Sequence, residues 1–352
     1  MILQNSLVLL GITSAVFLTS CCKHRELEPA TPLVLDVPTH VLTSIIGEMP
    51  IPSDNPTTVE GVALGRRLFY ENMLSGDNTM SCATCHIQED GFSDKRQFSE
   101  GIAGDLGDRQ AMALINLGWS DLLFWDGRAA SLEDQAFGPV VNPIELNETW
   151  SNVVQKLQDD SDYPSLFEAA FGTCIIDSVL VSKAIAQFER TMLSFNSRYD
   201  KFFYEQEDVF TQAELNGFEL FMGEAECVHC HSGPLLSDNR IRNNGLDIVF
   251  TDLGLGNVTG DATDNGKFKV TTLRNIAQTA PYMHDGRFTT LEDVIDHYNS
   301  GVKAESPNLD PEMEHFVTGL NLTTAQKSDL VAFLHTMSDN SFLEDLIFSD
   351  PN

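Results

Sequence analysis

A five-residue block, Cys-X-X-Cys-His, occurs twice in this chain: Cys82-Ala83-Thr84-Cys85-His86 and Cys227-Val228-His229-Cys230-His231. Two thiols and a histidine at this spacing suit covalent attachment of a c-type haem. The thiols add across the porphyrin vinyl groups while the adjacent imidazole reaches the iron. Zinc or redox thiols use the same residue types, but two matches in a chain of seven cysteines favour haem. His86 and His231 are then proximal ligands, and His229, inside the second block, is not assigned to iron.

The rest of the sequence repeats with the blocks. Asp126-Gly127-Arg128 followed by Leu132-Glu133-Asp134 recurs as Asp285-Gly286-Arg287 followed by Leu291-Glu292-Asp293, 159 residues on. Leu114-Ile115-Asn116 matches Leu273-Arg274-Asn275 at the same offset, whereas the haem blocks are 145 apart, so the second half carries the longer loop. Leu68-Phe69 and Leu220-Phe221 close helix-like stretches ahead of each block. A duplicated haem domain accounts for this pattern.

The coarse structure reads as mostly helical. Thr211-Gln212-Ala213-Glu214 is a capping box opening an amphipathic helix, and Ser131 and Thr290 look like equivalent helix starts. Further helices are expected near 60–72, 149–158, 163–171, 177–193 and 323–337. Residues 239–266 read as loop with a short hairpin. The expected organisation is a haem domain over 51–205 and a second over 206–345.

Residues 1–20 read as a signal peptide, because the apolar run Leu7–Leu18 is too short to span a bilayer. Leu18-Thr19-Ser20-Cys21 resembles a bacterial lipobox, which implies cleavage before Cys21, its acylation and a lipid-anchored periplasmic protein. A cleaved signal without lipidation is the alternative. Residues 21–50, rich in proline and polar residues, are expected to be a tether. Cys22 and Cys174 remain outside these roles, and no structural disulfide is expected. The formal charge of −31 opposes binding to nucleic acid or anionic lipid. It favours a basic partner, or else a heavily solvated surface suited to saline surroundings.

The repeat also exposes a difference. Pro139 is matched by Tyr298 and Trp125 by His284 at the 159-residue offset. A proline side chain cannot bind iron and a tyrosine oxygen can, so haem one reads as open and haem two as closed by Tyr298. His297, Met283 or Met313 are the rival ligands. No histidine lies between His86 and His229, so none is at hand nearby to close haem one.

Together these residues resemble the bacterial diheme cytochrome c peroxidase family from about Val59 to Thr336. The resemblance rests on both haem blocks, Phe124-Trp125-Asp126-Gly127-Arg128, Gly138-Pro139 with Asn142-Pro143-Ile144-Glu145, and Tyr282-Met283-His284-Asp285-Gly286. It implies two mainly α cytochrome c-like domains about a pseudo-twofold axis, a peroxide-binding first haem and an electron-transferring second. It implies a glutamate and a glutamine over haem one, here Glu145 and Gln135, and a tryptophan between the haems, here Trp125. It implies a calcium ion on backbone oxygens of Thr279 and Pro281; the family's asparagine ligand falls on Gln110. Tyr298 replaces the family's usual methionine, and the loop histidine that blocks haem one in many members is missing. Both departures look like the branch containing the methylamine-utilisation diheme enzyme, which oxidises a partner protein.

Glu145 suits moving a proton between peroxide oxygens, although an isolated loop carboxylate is often only solvated. Gln135 could orient peroxide or sit as an ordinary helix residue. Trp125 could relay charge or be core. Arg128 and Arg287 could meet haem propionates or brace their own turns. The leading expectation is reduction of hydrogen peroxide with electrons from a small c-type cytochrome or similar donor. Peroxide-driven oxidation of a partner protein side chain is the second, and a non-catalytic electron carrier the third. A homodimer is compatible with each.

Overall fold

The computed structural model describes residues 28–351, which are mainly helical. Among the described residues, the only strands are Ile241–Arg242 and Phe268–Lys269, an antiparallel pair that closes the long loop of the second half. Cys21, its lipidation and the signal segment lie outside the described residues.

Each half is built on a helix before its haem block crossing a helix near its end. Val59–Phe69 starts at Thr58, whose hydroxyl accepts from the Gly61 amide, and it packs on Ser178–Glu189. In the second half Gln212–Met222 packs on Thr324–His335, and Thr211 and Glu214 form the expected capping box. Both crossings depend on a glycine. A Cβ on Gly65 would lie 1.9 Å from the Ala184 carbonyl oxygen, and one on Gly217 would lie 2.0 Å from that of Asp329. Trp150–Asp159 and Tyr163–Phe171 fall within a residue of expectation.

The duplication reaches into backbone geometry. Leu123 bridges Ala129 as Tyr282 bridges Phe288, bracketing the two Asp-Gly-Arg turns. Asn116 and Asn275, Phe124 and Met283, and Gly127 and Gly286 are matched pairs with positive φ. Asn116 donates to the Ser194 carbonyl at 3.1 Å and Asn275 to the Ser194 hydroxyl at 3.0 Å, so the two copies converge on one residue.

Long-range packing places three features beyond the local pattern. Within the segment read as a tether, Val41 is fully buried with Phe195 and Leu235, His40 stacks on Tyr204, and the Trp119 indole donates to Gly47. The C-terminal stretch returns to the first half, where Phe342 and Phe348 pack on Phe92 and Arg66 donates to the Ser349 carbonyl. Cys174 is disulfide-bonded, which corrects the expectation of no structural disulfide. It is also buried, and its carbonyl accepts from the Gln158 side-chain amide at 3.0 Å.

Two candidate haem sites and the groups between them

Both block histidines are set for iron. The Nδ1–H of His86 donates to the Phe92 carbonyl at 2.8 Å, and that of His231 to the Leu236 carbonyl at 3.1 Å. A carbonyl can only accept, so the proton sits on Nδ1 and Nε2 is the nitrogen that would bind iron. Burial lowers the pKa of both imidazoles against the raising effect of their carbonyl partners, the direction that favours the neutral form a ligand must have. The lead cysteines are half-buried in apolar surroundings, and desolvation pushes the Cys82 and Cys227 thiols up to about 12; Cys85 and Cys230 are raised by the same cause. The residues present therefore fit two attached haems.

Two carboxyl groups act on the first block: Glu189, buried and pushed up to about 8 by that burial, is felt at Cys82, and Glu145 stands in the Asn142–Glu145 motif itself. The helix Phe137–Val141, which carries Pro139, ends at Asn142, and Pro143 prevents its continuation. Asn142 then folds back: its Oδ1 accepts from the Ile144 amide at 3.1 Å, and its Nδ2 donates to Glu145 Oε1 at 2.7 Å. Burial raises the Glu145 pKa; the Asn142 amide and the positive charge of Arg128 oppose that rise, and Asp108 adds to it. The Glu145 charge is felt at both Cys82 and Cys85, which sets it on the haem-one side. Gln135 ends the short helix Leu132–Gln135, capped by the Ser131 hydroxyl at 3.1 Å, and is half-buried.

The second block opens into a mostly apolar cavity whose wall includes Cys227, Cys230, His231, Met283, Met313 and Tyr298. Tyr298 lies in a π-helical turn, His297–Gly301, that follows the helix Leu291–Asp296. Such wide turns shift a side chain off its helical register and recur at functional sites. Asn244 Nδ2 lies 3.3 Å from the Tyr298 hydroxyl and 3.5 Å from Met283 Sδ. Its backbone carbonyl receives the Nε2 of His297 at 3.1 Å, so only the Nδ1 of that rival remains for iron. Burial pushes the Tyr298 phenol up to about 12, against which the Asn244 amide works.

Between the blocks, repeat-related rings meet. Trp125 and His284 lie edge to face with centroids 6.5 Å apart, and His284 stacks on Phe268 at 3.7 Å. The Trp125 indole donates to the Gln110 carbonyl, and the Gln110 amide donates to the His284 carbonyl, each at 2.8 Å. Gln110, Thr279 and Pro281 line one cavity, where the Gln110 Nε2 donates to the Asp94 carbonyl at 3.2 Å. Arg128 pairs with Asp126, and Arg287 with Asp285 and Asp247, so both arginines brace their turns.

Sequence reasoning gave no role to Asn142, Asn244 or Lys269. The first was visible inside its motif, three positions before Glu145. The other two act on partners 54 and 149 residues away, for which no local pattern exists.

A family model described as di-haem cytochrome c peroxidase matches residues 59–208. The methylamine utilization protein MauG of Methylorubrum extorquens is 37% identical over 292 residues, covering 82% of this chain and 81% of that protein. Cytochrome-c peroxidase IdrP1 of Pseudomonas sp. strain SCT is 31% identical over 335 residues, 86% of each chain. Among solved structures, a MauG-like protein associated with microbial copper homeostasis is similar with a TM-score of 0.82 and 36% identity. That likeness covers 91% of this chain and 99% of the other.

Proposed function

The chain belongs to the di-haem cytochrome c peroxidase family, and we propose that it reduces hydrogen peroxide to water with electrons from a small c-type cytochrome or similar donor protein. The observation that carries this reading is Glu145, half-buried on the side of the first haem block and held by Asn142. Cys82, Cys85 and His86 would hold a haem c, whose iron would supply the electrons that peroxide takes up. Each turnover takes one peroxide, two electrons and two protons to two waters. Glu145 accepts the proton of the near peroxide oxygen and returns it to the departing one, so no charged fragment is released. Gln135 orients the peroxide by donating through its amide, and Trp125 couples the two haem sites.

The sequence and the Tyr298 cavity support a second reading, in which the same peroxide chemistry oxidises a side chain of a partner protein. A tyrosinate ligand would favour the higher oxidation states of haem two and suit storage of an oxidising equivalent. Calcium belongs to the proposal as well: with its Nε2 committed to Asp94, Gln110 keeps Oε1 to join the Thr279 and Pro281 carbonyls on a hard cation. Export to the periplasm with a lipid anchor at Cys21 completes it; among the described residues no helix is long and apolar enough to cross a membrane.

The test is the resting ferric protein. Electron paramagnetic resonance should show one high-spin haem, and peroxide should react before any reduction, with a reduced small cytochrome then consumed at two equivalents per peroxide. Two low-spin haems at rest, with activity only after partial reduction, would refute an open first site.

A further inference from the structure

Buried cations in this molecule are paired with carboxylates. Arg274 meets Asp200 with both side chains fully buried, Arg109 bridges Asp126 and Asp252, and Arg242 bridges Asp238 and Asp310. Lys269 departs from this pattern. It is 7% exposed, and its ammonium donates to the Ser120 hydroxyl at 2.6 Å. No carboxylate lies within ion-pair distance among the described residues; Asp121 acts only through its longer-range field. An ammonium has three donors, and burying it without a counter-charge is costly. Its pKa is accordingly brought down to about 8 by burial.

Lys269 lines the same cavity as Cys227, Cys230, His231 and Tyr298. In a haem c the thioether carbons and the two propionates leave opposite edges of the porphyrin. The Cys230 thiol feels Arg242, which marks the thioether edge. Lys269 is also fixed to the first half of the chain, through its side chain to Ser120 and through its own amide to the Trp125 carbonyl at 2.8 Å. The two arginines that could have met propionates are committed to aspartates.

We propose that the Lys269 ammonium, held by Ser120, binds a propionate of the haem attached at Cys227 and Cys230, and thereby helps set that haem's reduction potential at the seam with Trp125. The proposal rests on the haem-attachment reading of the second block. A cation beside the propionate offsets its charge and favours the reduced iron. Lys269 is a positioning and charge-tuning residue, acting through the propionate.

The experiment is a spectroelectrochemical titration of the holoprotein as wild type, Lys269→Met, Lys269→Arg and Ser120→Ala. Lys269→Met should weaken reduction of haem two about tenfold, a fall of about 59 mV for one electron, and leave haem one unmoved. Lys269→Arg should restore most of the loss. Ser120→Ala should keep both haems and shift the propionate-bending band of haem two in the resonance Raman spectrum. Two haems per chain with an unchanged haem-two potential in Lys269→Met overturn the proposal alone. One haem per chain in the wild type overturns the attachment reading and the proposal with it. If Lys269→Met does not mature, an unmoved propionate band in Ser120→Ala overturns the proposal by itself.

Discussion

Glu145 holds its position by a contact three residues long and its chemistry by burial. Replacing it with glutamine keeps the shape and the Asn142 contact but removes the group that can carry a proton. Glu145→Gln should therefore keep both haems and slow peroxide cleavage by about 10²- to 10⁴-fold. The sign of the pH dependence follows from the raised pKa. The base must be ionised, so the wild-type rate should fall as pH drops, and fall at a higher pH than an ordinary carboxylate would allow. The glutamine variant should lose that limb, and stopped-flow traces across the acid range would check both statements. At this scale the two haem blocks and Glu145 were readable because their partners are a few residues away. Asn244 was not, since its role depends on Tyr298 and Met283, which only the fold brings to one amide.

The elements divide along the same line. Helices with a capping residue and an apolar stripe were read to within a few residues, because both signals are local. The return of Phe342 and Phe348 to Phe92, and the burial of Val41, are decided by a tertiary surface that no window of sequence contains. The π-helical turn is an intermediate case. The 159-residue repeat offset from Pro139 pointed to Tyr298, but the widened turn that carries it was not visible. Tyr298→Met should raise the haem-two potential and make that haem easier to reduce by a cytochrome c. If the wild type oxidises small cytochromes slowly and the variant does so quickly, the protein-oxidising reading gains; an unchanged haem-two spectrum would remove Tyr298 as ligand. A different element test concerns the helix crossings. Gly217→Ala places a methyl group 2.0 Å from the Asp329 carbonyl oxygen, so the helices must separate. The expected cost is about 1–3 kcal/mol, read as a lower melting temperature of the holoprotein with the haem-one spectrum retained.

At the scale of the whole molecule, the duplication was legible in the repeated motifs, and it explains why Trp125 and His284, matched positions in the two copies, end up ring against ring. What the repeat leaves open is how electrons arrive from outside, and there the total charge is the informative quantity. With 52 acidic against 21 basic residues, the molecule presents a field that draws a basic protein in and repels an acidic one. That field is screened over about 10 Å at 0.1 M salt, so encounter with a basic cytochrome should weaken steeply with ionic strength. Hydrogen peroxide is uncharged, and its own reaction at the first site should not. Steady-state kcat/KM for a basic small cytochrome is thus expected to fall about tenfold or more between low salt and 0.2 M, within the range that steering supplies. The single-turnover rate with peroxide should stay flat over the same range, and an acidic cytochrome should improve with salt. If the basic donor were also indifferent to salt, the charge would be read instead as a solvated surface for saline surroundings, and docking would have to rest on an apolar contact.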